Sequence, residues 1–210
     1  MQRLVEICER QLTSVEIVLI ASNKSCVGID FAAARGLPVA LIDRQTHNSQ
    51  QAQESTLAKT IKAAAADWIF LTGYMTILSA DFVEQFTGQI LNIHPSLLPA
   101  FKGLDTHQRA LDAGVPQHGA SVHIVTADLD GGPVILQAGL TISKDDTAKT
   151  LANRVLWLEH RLLPFVLASL ATGYLTLYNS VPNWANRTEI FTAVDAVTLD
   201  FLENHAIWPE

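Results

Sequence analysis

The chain is short of cysteine, of charge and of long apolar runs, and each shortage excludes something. Cys8 and Cys26 are the only cysteines in 210 residues. Two are too few for a disulfide framework, and free thiols fit a reducing cytoplasm. No uninterrupted apolar stretch approaches the roughly 20 residues that span a bilayer. The opening "MQRLVEICER" carries Glu6 and Glu9 and has no basic segment followed by an apolar one, so it does not read as a secretory signal. Cationic excess is missing too. A net charge of −7 argues against general nucleic-acid binding, yet leaves room for one anionic small ligand held by local dipoles. Charged residues make up 17 % of the chain against 49 % hydrophobic, in short runs, which describes a globular chain of one sizeable domain.

What is present alternates between two periods. "MQRLVEICERQ" places Leu4, Val5, Ile7 and Cys8 near helical spacing from its first residue. "VEIVLIAS" (15–22) is a β-branched run that predicts a strand buried on both faces. "GIDFAAARG" predicts a short helix closed by Gly36, "LPVALID" a strand and "SQQAQESTLAKTIKAAAA" a long helix. "DWIFLTG" predicts a third strand, with Trp68 and Phe70 as core. "SADFVEQF" predicts a helix capped by Ser79, and "QILNIHP" a fourth strand. Strands separated by helices imply parallel pairing with right-handed crossovers. Beyond residue 100 the texture changes. A helix "DTHQRALDAG" closes at Gly114, and two strands in "GASVHIVTADLDGGPVILQAGLTI" join around "DLDGGP" as a hairpin. A long amphipathic helix begins at Asp146 or Thr147 and carries Pro164 as an expected kink, and a short strand "LTLY" follows. The last 32 residues read as a strand or loop and a terminal helix.

Chemistry concentrates at "ILNIHPSLLP". Residues two apart on a strand share a face, so Asn92 and His94 project together near its C-terminal end, where open α/β sheets bind ligands. Pro95 and Pro99 stiffen the exit. Farther on, Asp130 is followed by two glycines and a proline. That turn lets backbone approach a flat ligand and can aim a carboxylate at an imidazole. An amide donor, an imidazole and a carboxylate suit acyl transfer to an amine: Asn92 stabilises an oxyanion, His94 moves protons, and a carboxylate favours the imidazolium and orients the ring. No Ser or Cys sits in a nucleophile-elbow context, which favours direct attack by a substrate amine. His94, His107, His118 and His123 raise zinc as an alternative. They lack close ligand spacing and a cysteine partner, so no metal is expected.

The combination "NIHPSLLP … GLDTH … HGASVH … DLDGGPVILQA" resembles the phosphoribosylglycinamide formyltransferase family up to about residue 185. The resemblance implies a Rossmann-like α/β fold with a mostly parallel central sheet. It divides a single formyltransferase domain into a nucleotide-binding-like half (1–95), a catalytic and folate-binding half (96–185) and a tail (186–210). It implies formyl transfer from 10-formyltetrahydrofolate to the amine of glycinamide ribonucleotide, with Asn92, His94 and Asp130 as the catalytic set. It also assigns Met75, Ile77, Leu78, Ala127 and Asp130 to the folate and Glu159 to the ribose. Thr76 stands where members often carry Arg, and Leu156 where a Gln sometimes occurs, so side-chain contacts there are lost. His123 matches the family as a hydrogen-bonded support, and Lys102 is expected in solvent or loosely near a folate's glutamate tail. The expected partners are these small molecules.

Family members begin with a strand and a Gly-x-Gly-Ser-Asn loop that binds phosphate. Here "MQRLVEICERQ" matches the helix that follows that loop, so the fold is expected to lack the family's first strand, with unpaired ladder groups on its neighbours. A native start upstream of Met1 and a truncated form both account for this. Among rivals, formyltetrahydrofolate hydrolase usually adds an N-terminal regulatory domain and more often reads His-His-Ser where this chain reads His-Pro-Ser. Methionyl-tRNA formyltransferase adds a basic C-terminal domain that the acidic tail does not supply. A noncatalytic folate-binding protein is the alternative from another class.

Overall fold

The computed structural model describes residues 1–12 and 14–209. The chain divides into two compact units, Met1–Ile90 and Leu91–Glu210. In the first, α1 (Gln2–Gln11) buries Val5 and Cys8, two members of the stripe read from the sequence. β1 (Ile20–Ser22) and β2 (Val39–Leu41) pair in parallel with α2 (Val27–Ala33) between them in the chain, as a strand–helix–strand crossover requires. Next come α3 (Gln50–Ala63), β3 (Ile69–Leu71) and α4 (Ala80–Glu84). Ser49 caps α3 by accepting from Ala52 N, and Ser79 caps α4 by accepting from Phe82 N.

The long first strand needs correcting. Only Ile20–Ser22 of the expected 15–22 joins a ladder, and none of residues 15–22 is fully buried. β1 has β2 on one side and no ladder partner on the other among the described residues, while β3 lies outside that sheet. A β-branched run makes strand only as far as a partner extends, which explains the short β1. Trp68 and Phe70 are likewise only partly buried and do not form core.

The second unit is built on antiparallel pairing, so the chain as a whole mixes both kinds. β4 (Ile90–His94) begins at the boundary. It is followed by α5 (Thr106–Asp112), β5 (Gln117–Ile124), β6 (Val134–Thr141) and α6 (Ala148–Thr172). β7 (Leu175–Tyr178) and β8 (Val181–Trp184) form a hairpin whose turn residues Asn179 and Ser180 both have positive φ, 49° and 63°. That is the turn geometry whose twist suits a two-residue hairpin. The tail forms α7 (Arg187–Ala193), α8 (Ala196–His205) and β9 (Ala206–Ile207). The sheet runs β4-β5-β6-β9, with β9 returning to pair Ile207 with Gln137 and Ala206 with Ala138.

Across this sheet lies α6. Its buried residues Leu151, Val155, Leu158, Leu162 and Val166 recur at three- and four-residue steps and face β5 and β6. Thr147, not Asp146, is the cap and makes a reciprocal capping box with Thr150. Asp146 instead accepts from Ser143 N and pairs with Arg154. The helix is long and apolar enough, by length and composition, to cross a membrane, but its stripe is spent on the sheet. Pro164 is buried within it, and the helix continues through that residue as one element. Leu158→Ala would open a cavity under a fully buried position. It should destabilise the protein by about 2–5 kcal/mol in urea unfolding, and a loss below about 1 kcal/mol would contradict this packing.

Candidate functional site

Asn92 and His94 lie two apart on β4 and so share a face. Pairing with β5 sets Asn92 opposite His123 and His94 opposite Ser121. Asp130 arrives from the β5–β6 turn, where Gly131 N bonds to Asp128 O. The turn requires its glycines. A Cβ on Gly132 would sit 1.9 Å from Ile124 O, and one on Gly131 would sit 1.8 Å from the Asp128 carboxylate. Asp130 itself is left-handed at φ 46°, a conformation that costs about 1–3 kcal/mol and persists where surroundings enforce it.

That backbone aims the carboxylate inward, with only 10 % of the side chain exposed. Asp130 Oδ2 lies 3.4 Å from His94 Nδ1 and accepts from Gly103 N at 2.8 Å. Asp130 Oδ1 lies 3.7 Å from His123 Nε2. On its other side His94 Nε2 faces Phe101 O at 3.0 Å. A carbonyl only accepts, so Nε2 carries a proton, and Nδ1 is the nitrogen left for chemistry beside the carboxylate. Asn92 Nδ2 lies 3.1 Å from His123 Nε2.

The exit loop is held by more than its prolines. Ser121 Oγ donates to Ser96 O and accepts from Leu98 N. Gln137 Nε2 donates to both Ser121 Oγ and Leu98 O, and Thr106 Oγ1 donates to Pro95 O. Arg109 Nη1 donates to Lys102 O and Leu104 O, tying down a stretch with Phe101 and Asp105 left-handed at 55° and 56°. Sequence reading did not single out Ser121, Gln137 or Arg109. The first two stand inside quoted motifs, and their polarity within strand runs was the available signal. Lys102 reaches Asp128 at 3.2 Å at the surface.

The remaining predicted residues are placed as follows. Ala127 lies exposed in the turn that carries Asp130. Glu159 stands on α6, and burial pushes its carboxyl up to about 7. Met75, Ile77 and Leu78 belong to the first unit, with Met75 and Ile77 well exposed. Their loop is fixed by groups the sequence did not advertise. Buried Glu54 accepts from Ser79 N and Ser79 Oγ, Gln50 Nε2 donates to Ile77 O, and Asn23 Nδ2 donates to Thr76 Oγ1 at 2.8 Å. Thr76, the departure from the family pattern, therefore has a partner of its own. His107 and His118 pair at 3.1 Å, and burial lowers His118 to about 4. No group of three His, Cys, Asp or Glu residues suited to a metal occurs among the described residues.

A family profile described as formyl transferase matches residues 1–167. The chain belongs to the formyl transferase family. It is 36 % identical over 181 residues to the phosphoribosylglycinamide formyltransferase of Escherichia coli (strain K12), covering 86 % of this chain and 85 % of that one. It is 37 % identical to the trifunctional purine biosynthetic protein adenosine-3 of Bos taurus, covering 84 % of this chain and 18 % of the bovine protein, so it spans under a fifth of that relative. Two solved structures superpose at a TM-score of 0.82. One is a phosphoribosylglycinamide formyltransferase from Coxiella burnetii (41 % identical, 87 % and 86 % covered). The other is a glycinamide ribonucleotide transformylase 1 from Symbiobacterium toebii (33 %, 88 % and 88 %). The formyl transferase fold is thus α/β and Rossmann-like, as read from the sequence, but its strand pairing is mixed where a mostly parallel sheet was expected, because β5, β6 and β9 follow one another by antiparallel pairing.

Two outcomes test the geometry. Gly132→Ala should push the turn off Ile124 O and cost about 1–3 kcal/mol, with the Asp130–His94 separation widened in a structure of the variant; an unshifted turn would refute the steric reading. For Glu159, a carboxyl raised from 4.5 to about 7 contributes stability that is full below pH 4.5 and lost as pH rises through about 7. Glu159→Gln should therefore flatten the stability profile across that interval in urea titrations. A wild-type profile in the variant would contradict the shift.

Proposed function

We propose that this chain transfers the formyl group of 10-formyltetrahydrofolate to the amine of 5′-phosphoribosylglycinamide, a step of purine biosynthesis. The observation that carries the reading is the buried His94–Asp130 pair, with Asn92 on the same strand face. Family membership and the names of its relatives agree with it.

In the mechanism, the amine nitrogen attacks the formyl carbon and a tetrahedral oxyanion forms. The Asn92 amide and His94 Nδ1–H are the donors available to that oxygen, and such preorganised donors act strongest where water is excluded. The 3.4 Å contact to Asp130 is long for a hydrogen bond, so the Nδ1 proton can be shared with an incoming oxygen. The new C–N bond keeps the formyl group on the acceptor, and the bond from carbon to N10 breaks. The proton lost by the amine passes by way of the Asp130 carboxylate to N10, which leaves as neutral tetrahydrofolate. A substrate amine supplies the nucleophile, so no enzyme acyl intermediate is involved. Met75, Ile77, Leu78, Ala127 and Asp130 stay assigned to the formyl donor, and Glu159 to the acceptor's ribose, by likeness to the family. The partners are these small molecules and the place of action is the cytoplasm.

A formyl-transfer assay on the purified chain tests this, with formate release measured in parallel. Asn92→Ala should lower kcat by about 100- to 1,000-fold, the usual effect of losing one oxyanion donor. Asp130→Asn should lower kcat comparably with little change in the KM of the acceptor. Formate release independent of the amine would replace the reading with hydrolysis. Activity unaffected by both substitutions would end it.

A further inference from the structure

We propose that His123 is a positioning residue that dictates which way the Asn92 amide faces, and so whether Asn92 can act as an oxyanion donor. The inference rests on the formyl-transfer reading for its consequence, but its structural content stands apart from activity.

The argument begins with the ladder. Asn92 and His123 are direct partners across β4 and β5. The β5–β6 register shifts between Val122 and His123, an irregularity of the kind that re-aims a side chain at the end of a strand. The re-aimed ring lies 3.0 Å by Nδ1 from Ile124 O and 3.1 Å by Nε2 from Asn92 Nδ2. Ile124 O can only accept, so Nδ1 carries hydrogen. The ring is 2 % exposed, and burial holds it below the ordinary imidazole range in spite of the Ile124 carbonyl and the Asp130 carboxylate, with the charges of His94 and Lys102 acting in the same direction as burial. A neutral ring with hydrogen on Nδ1 presents a lone pair at Nε2. That lone pair can be satisfied only by a donor, so the NH2 of Asn92, and not its carbonyl, must point at His123.

One amide hydrogen is thereby taken by His123 and the second remains for a substrate oxygen. Were His123 protonated on Nε2, the Asn92 amide would turn about to offer its carbonyl. A developing oxyanion would then meet no amide hydrogen on that side. Asp130 Oδ1, at 3.7 Å, is too far to compete as a hydrogen-bond partner for Nε2. The neighbouring carboxylate thus serves His94, while His123 is left to Asn92.

The direct test is two-bond 1H–15N correlation on isotope-labelled full-length chain, which separates the tautomers of a neutral imidazole. His123 is expected neutral with hydrogen on Nδ1 at neutral pH. Hydrogen on Nε2, or a charged ring, overturns the proposal whether or not the chain transfers formyl groups. In kinetics, His123→Asn should lower kcat by about 10- to 100-fold with both KM values little changed. His123→Gln, whose Oε1 can reach the former Nε2 position as an acceptor, should recover much of the loss. In an Asn92→Ala background, His123→Asn should have almost no further effect, since the group it orients is gone. Additive losses, or equal damage from Asn and Gln, would show a merely structural histidine. A wild-type chain inactive in formyl transfer but with the expected tautomer would defeat the reading of function and leave the positioning intact. Should His123→Asn fail to fold, the tautomer measurement still decides.

Discussion

A carboxylate with two obligations organises the second unit. Asp130 Oδ2 stands beside His94 Nδ1 and also accepts from Gly103 N in the exit loop. It can meet both only because its own backbone is left-handed and because Gly132 lets the turn lie against Ile124 O. The exit loop reciprocates, since Phe101 O takes the other face of the His94 ring. Loop, turn and imidazole therefore determine one another. Moving any one of them would leave a partly buried polar group without its partner, and that cost, about 1–3 kcal/mol per group, holds the set in place.

Around this core the electrostatics separate the histidines. His94 lies between a carboxylate at Nδ1 and a carbonyl at Nε2. His123 has a carbonyl and an amide for partners and is held below the ordinary imidazole range by burial. His118 is more extreme, lowered to about 4 by burial and by His107. The same side chain thus meets different partners within one small unit, and burial holds two of these rings below the ordinary imidazole range.

Much of this was legible in residue order, and the reasons differ by element. The Asn-x-His alternation and the Asp-Gly-Gly-Pro turn are local, so side-chain period and backbone permissiveness revealed them directly. The Ser79 cap was equally local, and the cap of α6 was narrowed to Asp146 or Thr147, of which Thr147 is the one used. β1 was overread because a β-branched run says nothing about how far its partner extends. Arg109 and Gln137 escaped notice because both act on backbone carbonyls, which have no signature in a sequence. Glu54 was hidden by its setting, a good helix former within a helix, although its carboxylate is buried against Ser79. The tail was read as strand or loop plus helix; its actual hairpin, two helices and returning strand depend on contacts with β6 and α6 that no local pattern announces.

The last of these contacts links the end of the chain to its chemistry. β9 hydrogen-bonds along β6 at Gln137 and Ala138, which fixes the main chain from which the Gln137 side chain departs. That side chain crosses to Ser121 and Leu98, under the segment that leads away from His94. Residues 206 and 207 thus bear on the proton-handling ring through a relay of one strand, one amide and one hydroxyl. Fraying of the C-terminus would be felt at the centre of the unit without a single catalytic side chain having been altered.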